Sequence, residues 1–178
     1  MFRVSQANPA QKRTLQPLYA QHQATPYAAF LDPEWDRSFD IVPGTVMARS
    51  YGEVFTPFTG ATGQKPFGLA ALFVAPSLGI DEVTATGANN FTVWVGGEQA
   101  VFEVLKPAFD ATADWNAALT TDGSFKLLTA TSHGLLTPTG VNHLNAVAEL
   151  LDVISTDKIL IRLNRYDLSS AAALGGGS

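Results

Sequence analysis

From Gly44 onward, short apolar and β-branched runs alternate with glycine-bearing breaks, which is the pattern of short β-strands joined by turns. Thr45-Val46-Met47-Ala48 and Val54-Phe55-Thr56 flank a Ser50-Tyr51-Gly52 turn. Thr59 to Gln64 reads as a flexible loop. Phe91-Thr92-Val93-Trp94-Val95 is rich in aromatic and branched residues, and Gly96-Gly97 after it predicts a hairpin returning along Gln99 to Leu105. Phe125 to Thr131 and Leu135-Leu136-Thr137 flank a Ser132-His133-Gly134 turn, and Ile159 to Leu163 forms a last strand after Thr156-Asp157.

Helical signals are few. Asp114 to Leu119 predicts a short helix with Asp114 as its N-cap. Val141, Leu144, Val147 and Leu151 stand at helical spacing. Ala146 to Ile154 followed by Ser155 to Lys158 also reads as a strand and turn, and a strand from about 146 is the reading adopted. The sum is a mainly β fold, a small barrel or sandwich with few short helices. No internal repeat is visible.

The first 43 residues differ from the rest. They hold no glycine, five of the ten prolines and five of the seven glutamines. Proline at such spacing excludes a long helix. Tyr19, Tyr27, Phe30, Trp35 and Phe39 are scattered among the prolines, which a disordered tail would lack. The segment therefore reads as an extended arm over 1–43, with aromatic anchors that need pockets on its own body or on a partner. The β-rich body then spans 44–166, and residues 167–178 read as a flexible tail.

Composition narrows the function. The 178 residues fit one domain. Only 15% are charged, with a net charge of −5, and an acidic chain does not suit a phosphate backbone. No apolar run is long enough to span a membrane, and Met1-Phe2-Arg3-Val4 does not read as a signal peptide. There is no cysteine, which excludes disulfides, thiolate metal sites and cysteine catalysis. From Pro66 to Leu105 there is no Lys or Arg, and the charges are Asp81, Glu82, Glu98 and Glu103. Such a stretch is expected to be buried or shared with other protein. Within and near it, Phe67, Phe73, Trp94 and Trp115 are candidate core or interface anchors.

Chemistry is sparse. His133 and His143 have no third metal ligand at a recognisable spacing, and His22 lies in the glutamine-rich arm. Ser132 beside His133 is adjacency, not triad geometry. Asp81-Glu82, and Asp110 with Asp114, are paired carboxylates of the kind that could work on a sugar, but nothing converges them on one cleft. Nucleophile-elbow, phosphate-loop and EF-hand patterns are absent from the sequence. No catalytic residue, cofactor or metal is assigned.

Several runs resemble a known family. They are Phe39-Asp40-Ile41-Val42-Pro43-Gly44-Thr45-Val46-Met47-Ala48, Lys65-Pro66-Phe67-Gly68-Leu69, Phe73-Val74-Ala75-Pro76, Leu78 to Val83, Phe91 to Gly97 and Ala108-Phe109-Asp110. The segment His133 to Thr137, followed by Ala148 to Leu163, resembles the last strands of the same proteins. Together these blocks resemble the head decoration, or capsid cement, proteins of tailed bacteriophages, particularly those infecting actinobacteria, over most of residues 39–164.

The resemblance implies a β-tulip or barrel body that trimerises on the outside of an expanded capsid. It implies partners in the major capsid protein and in two further copies of the chain, with arms that add strand hydrogen bonds to the shell. On that reading Tyr19, Tyr27, Phe30, Trp35 and Phe39 are capsid-contact anchors, and Phe67, Phe73 and Trp94 are oligomer or core anchors. No nucleic acid, membrane or cofactor is implied. The chain is longer than minimal cement proteins, by the arm and an insertion over 106–124. Two other readings stand beside this one: a tail-tube or head–tail connector subunit, and a small carbohydrate-active hydrolase using Asp81 or Asp110.

Overall fold

The computed structural model describes residues 13–36, 38–61, 63–74, 90–96, 100–120, 126–138 and 146–163. The strands are β1 (Leu15–Tyr19), β2 (Thr25–Leu31), β3 (Val46–Tyr51), β4 (Val54–Pro57), β5 (Pro66–Ala70), β6 (Asn90–Val95), β7 (Val101–Leu105), β8 (Leu127–Ala130), β9 (Leu136–Pro138), β10 (Ala148–Ser155) and β11 (Lys158–Leu163). A short helix, α1 (Trp115–Thr120), follows β7. The chain is mainly β, as its pattern predicts.

Two sheets share the strands. β2, β4, β3, β5 and β6 close into a five-stranded barrel, and an open sheet has the order β1-β7-β11-β10-β8-β9. In the barrel β2 runs antiparallel to β6 and parallel to β4. The barrel interior is filled by Ala29, Leu31, Ile41, Met47, Phe55, Phe67, Ala70, Val74, Phe91 and Val93. Tyr27, Phe55 and Phe67 meet edge to face there, with ring centroids 5.0–5.7 Å apart.

The second core lies between the open sheet and one flank of the barrel. Leu15, Phe102, Val104, Leu128, Leu136, Ile159 and Ile161 meet Val46, Ala48 and Leu69 there. β3 supplies both cores because strand side chains alternate: Val46 and Ala48 face the sheet, and Met47 faces the barrel interior. This two-sided burial explains why β5 is buried along its whole length. At Gly68 the backbones of β5 and β6 come so close that a Cβ would lie 2.2 Å from the Trp94 carbonyl oxygen. Glycine is required there by contact rather than by conformation.

The sheets are also joined by hydrogen bonds. Val46 N–H donates to the Gly134 carbonyl at 2.8 Å. Gly134 turns at φ 71, and a Cβ would come within 2.7 Å of Thr45 Cγ2. Two buried threonines are satisfied by the same junction: Thr14 Oγ1 donates to the Pro43 carbonyl, and Thr45 Oγ1 accepts from Val42 N–H.

The predicted turns at Ser50–Gly52 and Ser132–Gly134 join antiparallel pairs, β3 with β4 and β8 with β9. The short helix stands where predicted, with Asp114 Oδ1 accepting from Ala117 N–H at 2.9 Å. Residues 148–155 are a strand pairing with β11 and β8, while 141–145 lie outside the described residues.

Two expectations are corrected. Gly96-Gly97 does not close a hairpin: β6 pairs with β2 and β5 in the barrel, and β7 pairs with β1 and β11 in the sheet. Both strands have hairpin-like patterns, but each finds a more distant partner; Gly96 follows β6, and Gly97 lies outside the described residues. Residues 15–31, grouped by composition with an arm, form β1 and β2, so the strands begin well ahead of Gly44. The prolines that exclude a long helix fit in these strands at places of lesser demand. Pro17 is in an edge strand. At Pro26, β2 has β6 on one side only, since β4 pairs just with Phe30 and Leu31. Of the aromatic anchors on these strands, Tyr27 packs against Phe55 and Phe67, while Tyr19 and Phe30 remain exposed.

Candidate functional site

The residues singled out for chemistry stay apart or serve the fold. Asp110 Oδ1 accepts from both Oγ1 and N–H of Thr112, at 2.7 and 2.8 Å. The Thr112 hydroxyl, followed by its N–H, holds the Asp110 carboxyl below the usual carboxylate range. Asp114 is occupied capping α1. The Trp115 indole N–H donates to the Asp110 carbonyl at 2.7 Å, and its ring packs edge-on against Phe109. These carboxylates therefore build a turn and a cap. Asp81, Glu82 and His143 lie outside the described residues. His133 Nδ1 is 3.2 Å from the hydroxyl of its neighbour Ser132, and its ring lies against Phe39. His22 is exposed in a short 3-10 helix, Gln21–Gln23. Among the described residues no three His, Asp or Glu side chains group as metal ligands. No helix of the described residues is long and apolar enough to cross a membrane.

The described residues of the base-free stretch are mostly buried or half-buried. Phe67 is buried in the barrel, and Phe73 and Trp94 pack half-buried against the shared core, Trp94 with its ring 6.0 Å from that of Phe102. On the open sheet, Lys158 pairs with Glu103 at 2.9 Å, Lys106 with Asp157 at 3.0 Å, and Arg162 with Glu149 directly across β10 and β11. Such partly exposed pairs are worth about 0–1 kcal/mol each.

What remains is exposed apolar surface. The five aromatics of the first 43 residues divide by position. Tyr27 packs within the barrel aromatics, with the Arg49 guanidinium 5.9 Å from its ring centroid. Trp35 and Phe39 pack edge to face, 5.2 Å apart, in the β2–β3 connection. Tyr19 and Phe30 are exposed, by 66% and 42%. Phe30 is not alone. In register across β4 it stands beside Val54, and Val54 stands beside Tyr51, which is 61% exposed. Direct partners in a ladder share a face. Phe30, Val54 and Tyr51 therefore make one apolar row on the outer wall of the barrel. Tyr51 reads in sequence as a turn residue. An aromatic kept at the mouth of a hairpin, beside Gly52, was the signal that could have marked it. A second exposed pair, Leu18 and Tyr19, lies on β1.

An exposed aromatic row on a closed barrel is a surface suited to binding. A family model described as phage cement protein matches residues 1–178, the whole chain. The chain belongs to the phage cement protein family. No curated protein and no solved structure matches it. As a cement protein, the chain has a structural, capsid-associated role in a bacteriophage virion.

Proposed function

We propose that this cement protein binds the outside of the phage capsid as a homotrimer and holds the expanded shell by contacts with the major capsid protein. The observation that carries this reading is the family match over all 178 residues. The shell contact is made by the Phe30–Val54–Tyr51 row together with the N-terminal segment ahead of β1, the part of the proposed arm that precedes the strands. The protein works without catalysis or cofactor: it adds contact area between shell subunits. Each contact can be weak because a trimer engages three at once. The acidic net charge suits the outer surface of the shell rather than the packaged DNA.

Co-sedimentation with purified shells tests this. The wild-type chain pellets with expanded shells. Phe30→Asp combined with Tyr51→Asp, at two exposed positions, leaves the fold intact and weakens pelleting about tenfold or more, as loss of anchor aromatics does. Failure of the wild-type chain to pellet overturns the reading. Unchanged pelleting of the double variant removes the apolar row from it.

A further inference from the structure

The open sheet has a second face, turned away from the shared core. In β7 and β11 the core residues alternate with half-buried ones, among them Glu103, Leu105, Lys158, Leu160 and Arg162, which therefore share that face. Leu160 stands between Glu103 on β7 and Asp152 on β10. The register of β10 shifts by one residue at Leu151 and again at Ile154, and these two aliphatics are exposed by 40% and 51%. The helix α1 packs from the other side, since Trp115, Ala118 and Leu119 belong to the shared core.

The charges of this face are mostly settled within the sheet. Lys158 pairs with Glu103, Arg162 with Glu149, and Lys106 with Asp157 at the sheet's end. Among the described residues Asp152 makes no ion pair, so the four acids exceed the three bases by one. A face whose charges are already paired costs less to cover than one whose charges would be stripped of water unpaired.

The described chain begins beside this face. Arg13 is exposed, and the carbonyl of Thr14 accepts from Leu105 N–H at 2.7 Å, where Leu105 stands in register with Lys158. Twelve residues precede Arg13, with the bases Arg3 and Lys12, no acid, and Met1, Phe2 and Val4 near their start. From β1 across β7 and β11 to β10 is three strand spacings, about 15 Å. Twelve extended residues reach up to about 40 Å, so the start of the chain reaches β10 with length to spare.

We propose that residues 1–12 lie across the outer face of the chain's own open sheet before the protein meets a shell. Phe2 and Val4 sit on Leu151 and Ile154, and Arg3 gives Asp152 its counter-charge. The contact stands apart from the proposed function, but its consequence rests on that reading: a segment held on the sheet is withheld from the shell, which engages only the undocked fraction of copies.

The test is paramagnetic broadening in the full chain. The protein has no cysteine, so Ser5→Cys offers a single attachment point for a nitroxide. The amide signals of Leu151, Asp152 and Ile154 lose at least about threefold in intensity relative to the reduced label, while those of Phe30 and Tyr51 on the barrel wall keep theirs. A nitroxide-bearing copy mixed with an isotope-labelled copy without nitroxide gives no such loss, because the contact is within one chain. Asp152→Lys alone and Arg3→Glu alone each abolish most of the loss, and the two together restore it. Ile154→Ser, at an exposed position, also reduces it. Unchanged spectra elsewhere confirm that each variant is folded. Equal intensities with oxidised and reduced label, a loss seen only in the mixed sample, or a double variant no better than the singles overturns the proposal. In shell co-sedimentation Asp152→Lys binds a few-fold more tightly than wild type, and unchanged affinity overturns the withholding role. Pelleting of the wild type without the signal loss ends this inference and leaves the shell contact standing. The signal loss without pelleting ends the shell contact alone.

Discussion

In the barrel every strand has two ladder neighbours, because β6 returns to pair with β2. The six-stranded sheet is open at β1, which carries the exposed pair Leu18 and Tyr19, while at its other end Leu136 of β9 is bridged to Phe109. Both regions rest on one shared layer, since β3 sends Val46 and Ala48 into one core and Met47 into the other. The difference lies in what each leaves exposed. The closed ladder holds a wall on which Phe30, Val54 and Tyr51 stand in register, and the open sheet leaves β1 with a ladder neighbour on one side only among the described residues.

The contrast can be broken from the inside first. Phe55→Ala empties the barrel core and is expected to cost about 3–5 kcal/mol, read as a drop in the denaturant midpoint. Gly68→Ala, which drives a Cβ into the Trp94 carbonyl, follows at about 3 kcal/mol because the β5–β6 ladder must part. Either variant costing less than about 1 kcal/mol would mean that the barrel is not the rigid element. Tyr19→Ser on the open edge should change stability by no more than about 0.5 kcal/mol, because its side chain is exposed.

The smallest expected effect is at Asp110. Its carboxyl is held below the ordinary range by Thr112, so its contribution is present above the unfolded carboxylate pKa and is lost as pH falls through the folded value. Asp110→Asn should therefore be less stable than wild type at pH above about 5, with the gap closing in acid. A gap that persists unchanged into acid would assign its effect to something other than the carboxylate.

Local features were legible in the sequence where one turn decided the pairing. Gly52 and Gly134 marked hairpins that form, and Asp114 marked the helix cap. Gly96 and Gly97 misled because the turn pattern describes a neighbour, whereas β6 and β7 are paired by residues far along the chain. β1 and β2 were hidden by prolines, whose cost depends on whether a ladder neighbour stands beside them, and that is a tertiary fact. The same limit applied to the surface. The aromatics of the first 43 residues were visible as anchors, but only the register of β2, β4 and β3 separates Phe30, on the outer wall, from Tyr27, packed among the barrel aromatics. The same register adds Tyr51 to the row.

The central claim is that this protein strengthens a capsid by binding to it, and shell rupture reads that most directly. Particles stripped of the protein are heated with and without it while release of packaged DNA is followed. The account predicts that release moves to higher temperature as the wild-type chain is added, saturating when its sites are filled, and that the Phe30→Asp, Tyr51→Asp variant gives little of this shift. Release at the same temperature with and without saturating wild-type protein would contradict it.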